Sequence, residues 1–176
     1  MNKSILTVIL CGFVLFLWGF ISWALLPWHD AVANKFTDET AVAQVLKANA
    51  PLAGVYYLPF AAEDHQAGEV AAFINVLPAG FDMNMGKLMV RALLGQMLAA
   101  FLVLLLLKQT SGLVYRERVG FVALTGLAIG FISHFPYWNW FGFSSSYVLV
   151  IIIDSVIAWT LAGLVMAKLV AGKNSP

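Results

Sequence analysis

A single cysteine, Cys11, is all the thiol this 176-residue chain carries. That excludes an internal disulfide framework, a CxxC redox pair and any multi-cysteine zinc or iron–sulfur site. Charge is scarce as well: 11% of the residues are Asp, Glu, Lys or Arg, where a soluble domain has about 25%. The net charge is +1, so the basic face or stripe that nucleic-acid binding calls for is missing. No Gly-rich phosphate loop, HExxH or GxSxG occurs, nor any internal repeat or low-complexity tract. What the chain has in abundance is apolar surface. With 61% hydrophobic residues and a mean hydropathy of +0.86, it belongs in a membrane.

Four apolar stretches stand out, about Ile5–Pro27, Leu88–Leu107, Val119–Phe135 and Tyr147–Val170. A helix needs roughly 20 apolar residues to cover the ~30 Å hydrocarbon core, and three of the four reach that length. The third is shorter and contains Gly120, Gly126 and Gly130, so its aromatic extension through Trp140 is expected to complete the crossing. His134 then closes that helix just before Pro136, leaving Pro136–Ser146 as an uncharged connection. Orientation follows from the basic residues. With both termini cytoplasmic, the inner segments hold Lys3, Lys108, Arg116, Arg118, Lys168 and Lys173. The long outer segment holds Lys35, Lys47 and Lys87 against seven acids, Asp30, Asp38, Glu39, Glu63, Asp64, Glu69 and Asp82. Trp23, Trp28, Tyr137, Trp138 and Trp140 then make an aromatic belt on the outer face. Lys3, the apolar run and Ser22-Trp23-Ala24 loosely match a signal peptide, but the run exceeds an ordinary signal core. A lipoprotein site at Cys11 is disfavoured because Leu10 precedes it.

The outer segment His29–Lys87 is long enough to carry structure of its own. Thr37-Asp38-Glu39 offers capping side chains, and Val42, Val45 and Leu46 follow at helical spacing up to Asn49-Ala50-Pro51. Gly54–Phe60 and Val70–Leu77 read as short strands, each closed by a proline, with Ala61–Glu69 as a polar tip. Within the membrane segments Gly126 and Gly130 form a GxxxG. Gly95 with Ala99, and Ala158 with Ala162, repeat the small-xxx-small spacing that lets helix backbones approach. Packing inside one bundle is the expected use; self-association into a homo-oligomer is the other.

The sharpest local feature is Asp154, an acid within an apolar run. An ionisable group at membrane depth is costly and is either paired or used. At ~1.5 Å per residue, Asp154 lies about 10 Å below the outer end of the fourth helix. Arg91 near the outer end of the second helix, His134 on the third, and Ser22 and His29 at the end of the first fall in the same layer. An Arg91–Asp154 ion pair, with His134 or a water as third partner, is therefore expected. It would either fix helix register or line an outward-opening cavity for a proton, a headgroup or a quinone-like ligand. Arg91 snorkelling to lipid phosphates is the alternative.

Other polar groups carry weaker signals. His29-Asp30 after Trp28 reads as an interfacial helix end with a capping acid. Glu63-Asp64-His65 lacks a second ligand cluster. Met83 and Met85 suit a soft ion such as Cu(I) but have no partnering His or Cys. Ser144-Ser145-Ser146 opens the fourth helix, where hydroxyls cap N–H groups rather than act as nucleophiles.

The stretch Trp18–His29, with Asn139-Trp-Phe-Gly-Phe-Ser144 and Asp154-Ser-Val-Ile-Ala-Trp159, resembles uncharacterised small inner-membrane proteins of Gram-negative bacteria. The resemblance covers most of the chain. It implies a four-helix bundle with an outer cap and brings no activity with it. The chain lacks the cysteine pairs of four-helix thiol oxidoreductases and the paired extracellular cysteines of claudin-like proteins. The expected fold is an all-α integral membrane protein, a four-transmembrane-helix bundle with a small α/β periplasmic cap between helices 1 and 2. The divisions are 1–28, 29–86 and 87–176. The expected role is non-enzymatic and needs no cofactor: an accessory or assembly subunit of an inner-membrane complex. The alternative is a small-molecule, lipid/quinone or proton-handling protein using the outer-leaflet layer of Asp154, Arg91 and His134.

Overall fold

The computed structural model describes residues 3–64 and 66–170; His65 and Lys173 lie outside the described residues. Four helices are long and apolar enough to cross a membrane. Helix α1 runs Lys3–Phe20 and continues as a π-helical segment, Ile21–Leu25. After Pro27 comes α2, the single turn Trp28–Ala31. The other long helices are α4, Met85–Gln109, α5, Tyr115–Phe141, and α6, Ser145–Leu169. Between the first two lie α3, Glu39–Asn49, strand β1, Gly54–Leu58, a 3-10 turn, Ala62–Asp64, and strand β2, Ala72–Val76. The chain separates into two compact units, one made of Met1–Ala33 with Asn84–Pro176 and the other of Asn34–Met83. Residues 29–33 group with the long helices.

In the helical unit α6 packs on α5 and on α1, and α1 packs on α4, while α4 and α5 touch only slightly. The core is one cluster: Cys11 and Leu15 from α1, Ala100, Val103, Leu104 and Leu107 from α4, Val122 from α5, and Trp159, Ala162 and Met166 from α6. Close approach explains which small residues sit where. A Cβ at Gly126 would fall 2.5 Å from Trp159 Cβ, and one at Gly130 would fall 3.1 Å from Ile152 Cα. These two positions let α5 lie directly on α6, against Ile152, Ser155 and Trp159, while Ala158 and the fully buried Ala162 pack in the core. Ala99 packs against the core, but Gly95 faces open space and makes no close approach. Gly12 does what Gly95 was expected to do, since a Cβ there would meet Met97 Cα at 2.8 Å. Gly163 similarly admits Val122, 3.2 Å away.

Side chains set the helix ends. Asn84 Oδ1 accepts the Lys87 N–H (3.1 Å) to start α4, and Ser144 Oγ accepts the Tyr147 N–H (3.2 Å) to start α6. Glu117 takes the Val114 N–H at 2.9 Å, the half of a capping box that a valine permits. At the far end of α6, Arg118 Nη1 reaches the carbonyls of Ala167 (3.2 Å) and Val170, groups that no further helical turn could satisfy.

The third long helix includes the aromatic extension through Trp140 expected to complete the crossing, and it begins before Val119; His134 does not close it, and Pro136 lies inside it. A proline removes one backbone donor, yet unwinding in an apolar setting would orphan several groups, so the helix continues. It stops at Gly142, whose left-handed backbone (φ 68°, ψ 23°) suits a residue without Cβ.

The Asn34–Met83 unit is small. Asp38 Oδ1 caps α3 by accepting the Ala41 N–H at 2.9 Å. Strands β1 and β2 pair antiparallel from Gly54 opposite Val76 to Leu58 opposite Ala72, with Tyr57 and Phe73 rings 5.2 Å apart. Both strands fall inside their expected ranges but are shorter. Among its described residues only Ala50 and Val76 are buried hydrophobics.

Candidate functional site

Asp154 lies nine residues into α6, about 14 Å along its axis. Its partners come from the end of the first long helix. The π-helical segment begins the geometry: Leu26 N–H reaches back five residues to Ile21 O (3.1 Å). The next such donor would serve Ser22 O, but residue 27 is proline and has none. Trp28 supplies it instead, donating Nε1–H to both Ser22 O and Ser22 Oγ at 3.1 Å. Pro27 and the single turn of α2 thereby fold Trp28 and His29 back over Ser22. Trp28, one of the residues of the expected aromatic belt, is half-buried and tied to Ser22 by this bond.

The result is a compact polar network. Asp154 Oδ1 accepts from Trp18 Nε1 at 2.6 Å and from Ser22 Oγ at 2.8 Å. His29 Nε2 stands 3.0 Å from Ser22 Oγ and 3.6 Å from Asp154 Oδ2. The Ser22 side chain is fully buried, and the side chains of His29 and Asp154 are 4% and 15% exposed. Trp23 stacks flat on the His29 ring, centroids 3.7 Å apart and planes 9° from parallel. Trp28 meets the same ring edge-on at 5.5 Å.

Counting protons assigns the bonds. Ser22 has one hydroxyl hydrogen, and with Asp154 ionised that hydrogen goes to Oδ1. Ser22 Oγ can then only accept, from Trp28 Nε1–H and from His29 Nε2–H. In that arrangement Nε2 is the ring nitrogen that donates to Ser22 Oγ. Nδ1 is buried and has no hydrogen-bond partner. Buried polar atoms are nearly always paired, so an orphan in a titratable ring is a feature to explain. Both hydrogen bonds of the carboxylate fall on Oδ1, so Asp154 Oδ2 has only the longer 3.6 Å approach of His29 Nε2.

Arg91 takes no part. It is exposed on α4, and it makes no ion pair with Asp154, whose one ionic neighbour among the described residues is His29. Arg91 is nine residues from the buried Ala100, half a turn away around a helix of 3.6 residues per turn. It thus points opposite the core, and α1 occupies the face of α6 that Arg91 would need. His134 is half-buried and bonds Ser133 Oγ through Nδ1 at 2.7 Å rather than Asp154. It does share a groove of about 290 Å3 with Asp154, lined also by Trp23, Ser133, Tyr147 and Ser155. Ser155 Oγ is held by Gly126 O at 2.8 Å, so the Gly126 approach shapes that groove as well as the packing.

The histidine that matters was in view as a neighbour, not as the partner. Trp18 and Ser22 fall at i and i+4, one face of a helix, whereas His29 joins them only through the turn after Pro27. Elsewhere, Glu63 and Asp64 form the 3-10 turn, Met83 and Met85 are exposed, and no cluster of three or more His, Cys, Asp or Glu occurs among the described residues. Comparison of the chain with family models, curated proteins and solved structures returns no match.

Proposed function

We propose that this is a non-enzymatic integral protein of a bacterial inner membrane whose working part is a proton-exchanging pair, Asp154 and His29. Both termini lie in the cytoplasm in this reading, with the Asn34–Met83 unit in the periplasm. The distribution of Lys and Arg and the resemblance to small inner-membrane proteins support that orientation. One observation carries the functional part: a carboxylate in an apolar helix faces a buried histidine whose Nδ1 has no partner. The His29 ring stands 3.6 Å from Asp154 Oδ2 and stacks on the Trp23 face, so a proton passed between imidazole and carboxylate would have a short path.

The test is infrared spectroscopy of the protein in nanodiscs, titrated across the range in which histidine ordinarily changes charge. Carboxylate and imidazole bands should shift together and disappear from the difference spectrum in both Asp154→Asn and His29→Gln. A titration without either band would refute the reading and leave the network as a helix clasp.

A second reading, an accessory or assembly subunit, draws on a different observation. Phe36, Leu52, Phe60, Val70 and Phe81 are all exposed in the Asn34–Met83 unit, which is too small to cover its own apolar surface. Purification from native membranes in mild detergent, followed by mass spectrometry, tests it. A stoichiometric multi-subunit complex would support the reading, and recovery of the chain alone would sink it.

A further inference from the structure

The geometry points to the groove beside Asp154 as a binding site for an ammonium group. The inference rests on the reading of Asp154 as an ionised, exchangeable site and adds the chemistry of what it takes. The groove lies against the last turns of α5 and the first turns of α6, with a volume of about 290 Å3. Its lining contains one carboxylate, Asp154, one imidazole, His134, and neither Lys nor Arg. Oδ1 already accepts two hydrogen bonds, whereas Oδ2 has only His29 Nε2 at 3.6 Å, beyond hydrogen-bond length, and keeps lone-pair capacity for an incoming donor. Two aromatic side chains, Trp23 and Tyr147, stand in the same wall. A carboxylate oxygen beside aromatic rings is the chemistry that recognises organic cations.

Other ligand classes fit the lining poorly. A quinone carbonyl or a phosphate would bring lone pairs toward an ionised carboxylate, with no Lys or Arg and only His134 in the lining to offset the repulsion. An alkyl chain would use the apolar wall of Ile129 and Ile151 but leave Oδ2 unsatisfied. Arg91, the basic residue expected to neutralise Asp154, faces away, so the negative charge is met by a proton on His29 or by a cation from the groove. An ammonium-bearing amphiphile satisfies the carboxylate, the rings and the apolar wall at once.

The ammonium has two possible sources, an aminophospholipid head or a small soluble amine, and the experiment separates them. The full-length protein is reconstituted in nanodiscs of phosphatidylglycerol alone or with phosphatidylethanolamine. Retained lipid is read by native mass spectrometry, and binding of ethanolamine and of dodecylamine is measured by calorimetry, with dodecyl maltoside and dodecyl sulfate as controls. Dodecylamine should bind about tenfold or more tightly than either control, the size expected of one charge-assisted contact. That preference should vanish in Asp154→Asn. It should weaken in Trp23→Ala, which removes an exposed ring and leaves the Asp154 hydrogen bonds in place. Selective retention of phosphatidylethanolamine assigns the site to a lipid head; binding of ethanolamine without lipid selectivity assigns it to a soluble amine. Equal binding of amine, sulfate and maltoside amphiphiles overturns the inference. If the infrared titration of Asp154 persists in that case, the ammonium site alone has failed; if the titration is absent too, the proton-exchange reading falls with it.

Discussion

Ser22→Ala is the perturbation that most directly tests the polar network. Ser22 is fully buried, and its hydroxyl joins Asp154 (2.8 Å), His29 (3.0 Å) and Trp28 (3.1 Å). Alanine leaves Trp28 bonded to Ser22 O, because that acceptor is backbone. It strips Asp154 of one of two donors and leaves His29 Nε2–H with only Oδ2, 3.6 Å away. A hydrogen bond to a charged group contributes about 1.5–3 kcal/mol, and an unmet buried donor adds to the loss. The expected cost is therefore about 2–4 kcal/mol, read as reversible unfolding in mixed micelles. The decisive measurement is the double-mutant cycle with Asp154→Asn. If the hydroxyl acts through the charge of Asp154, neutralising that charge should recover about 1 kcal/mol or more as coupling. Ser133→Ala, which alters an exposed hydroxyl, is the control and should stay within about 0.5 kcal/mol of the parent. Additivity of Ser22→Ala and Asp154→Asn within about 0.5 kcal/mol would refute the argument that these groups form one electrostatic unit.

The remaining predictions concern packing, helix ends and orientation. Gly126→Ala should cost about 1–3 kcal/mol by forcing α5 from Trp159, whereas Gly95→Ala, facing open space, should leave the melting temperature in detergent unchanged or slightly raised. Equal effects of the two would contradict the α5–α6 approach. Arg118→Met should speed amide hydrogen exchange in the last turn of α6, because the Ala167 and Val170 carbonyls lose their donor; the exposed Arg116→Met should not. In a Cys11→Ala background, Lys47→Cys should react with a membrane-impermeant maleimide in cells whose inner membrane is intact, and Arg116→Cys only after that membrane is permeabilised. The opposite pattern would invert the proposed orientation.

Parts of this arrangement could be read along the chain and parts could not. The small-residue spacings marked Gly126 and Gly130 as possible close approaches, and the structure places both against α6. The same pattern also selected Gly95, which packs on nothing, and passed over Gly12 and Gly163, which do. A spacing shows that a backbone can be approached but not which neighbour arrives. Pro136 was misleading for a related reason. Its local effect favours an end, yet the cost of unwinding backbone in apolar surroundings carries the helix on to Gly142.

The sequence by itself determined that four helices long enough for a membrane exist, roughly where they begin and end, and that Asp154 must find polar company. Run length, capping side chains and the cost of a buried charge are local properties, so one dimension suffices to express them. Tertiary structure alone decided whose company Asp154 keeps. Arg91 lay in the right layer but half a turn off the facing direction. Pro27 withheld a backbone donor from Ser22, Trp28 replaced it, and the turn that followed delivered His29 to the carboxylate. Depth follows from residue number, but contact between helices also depends on rotation about each axis and on which helix lies between. Those are set only when α1 packs between α4 and α6.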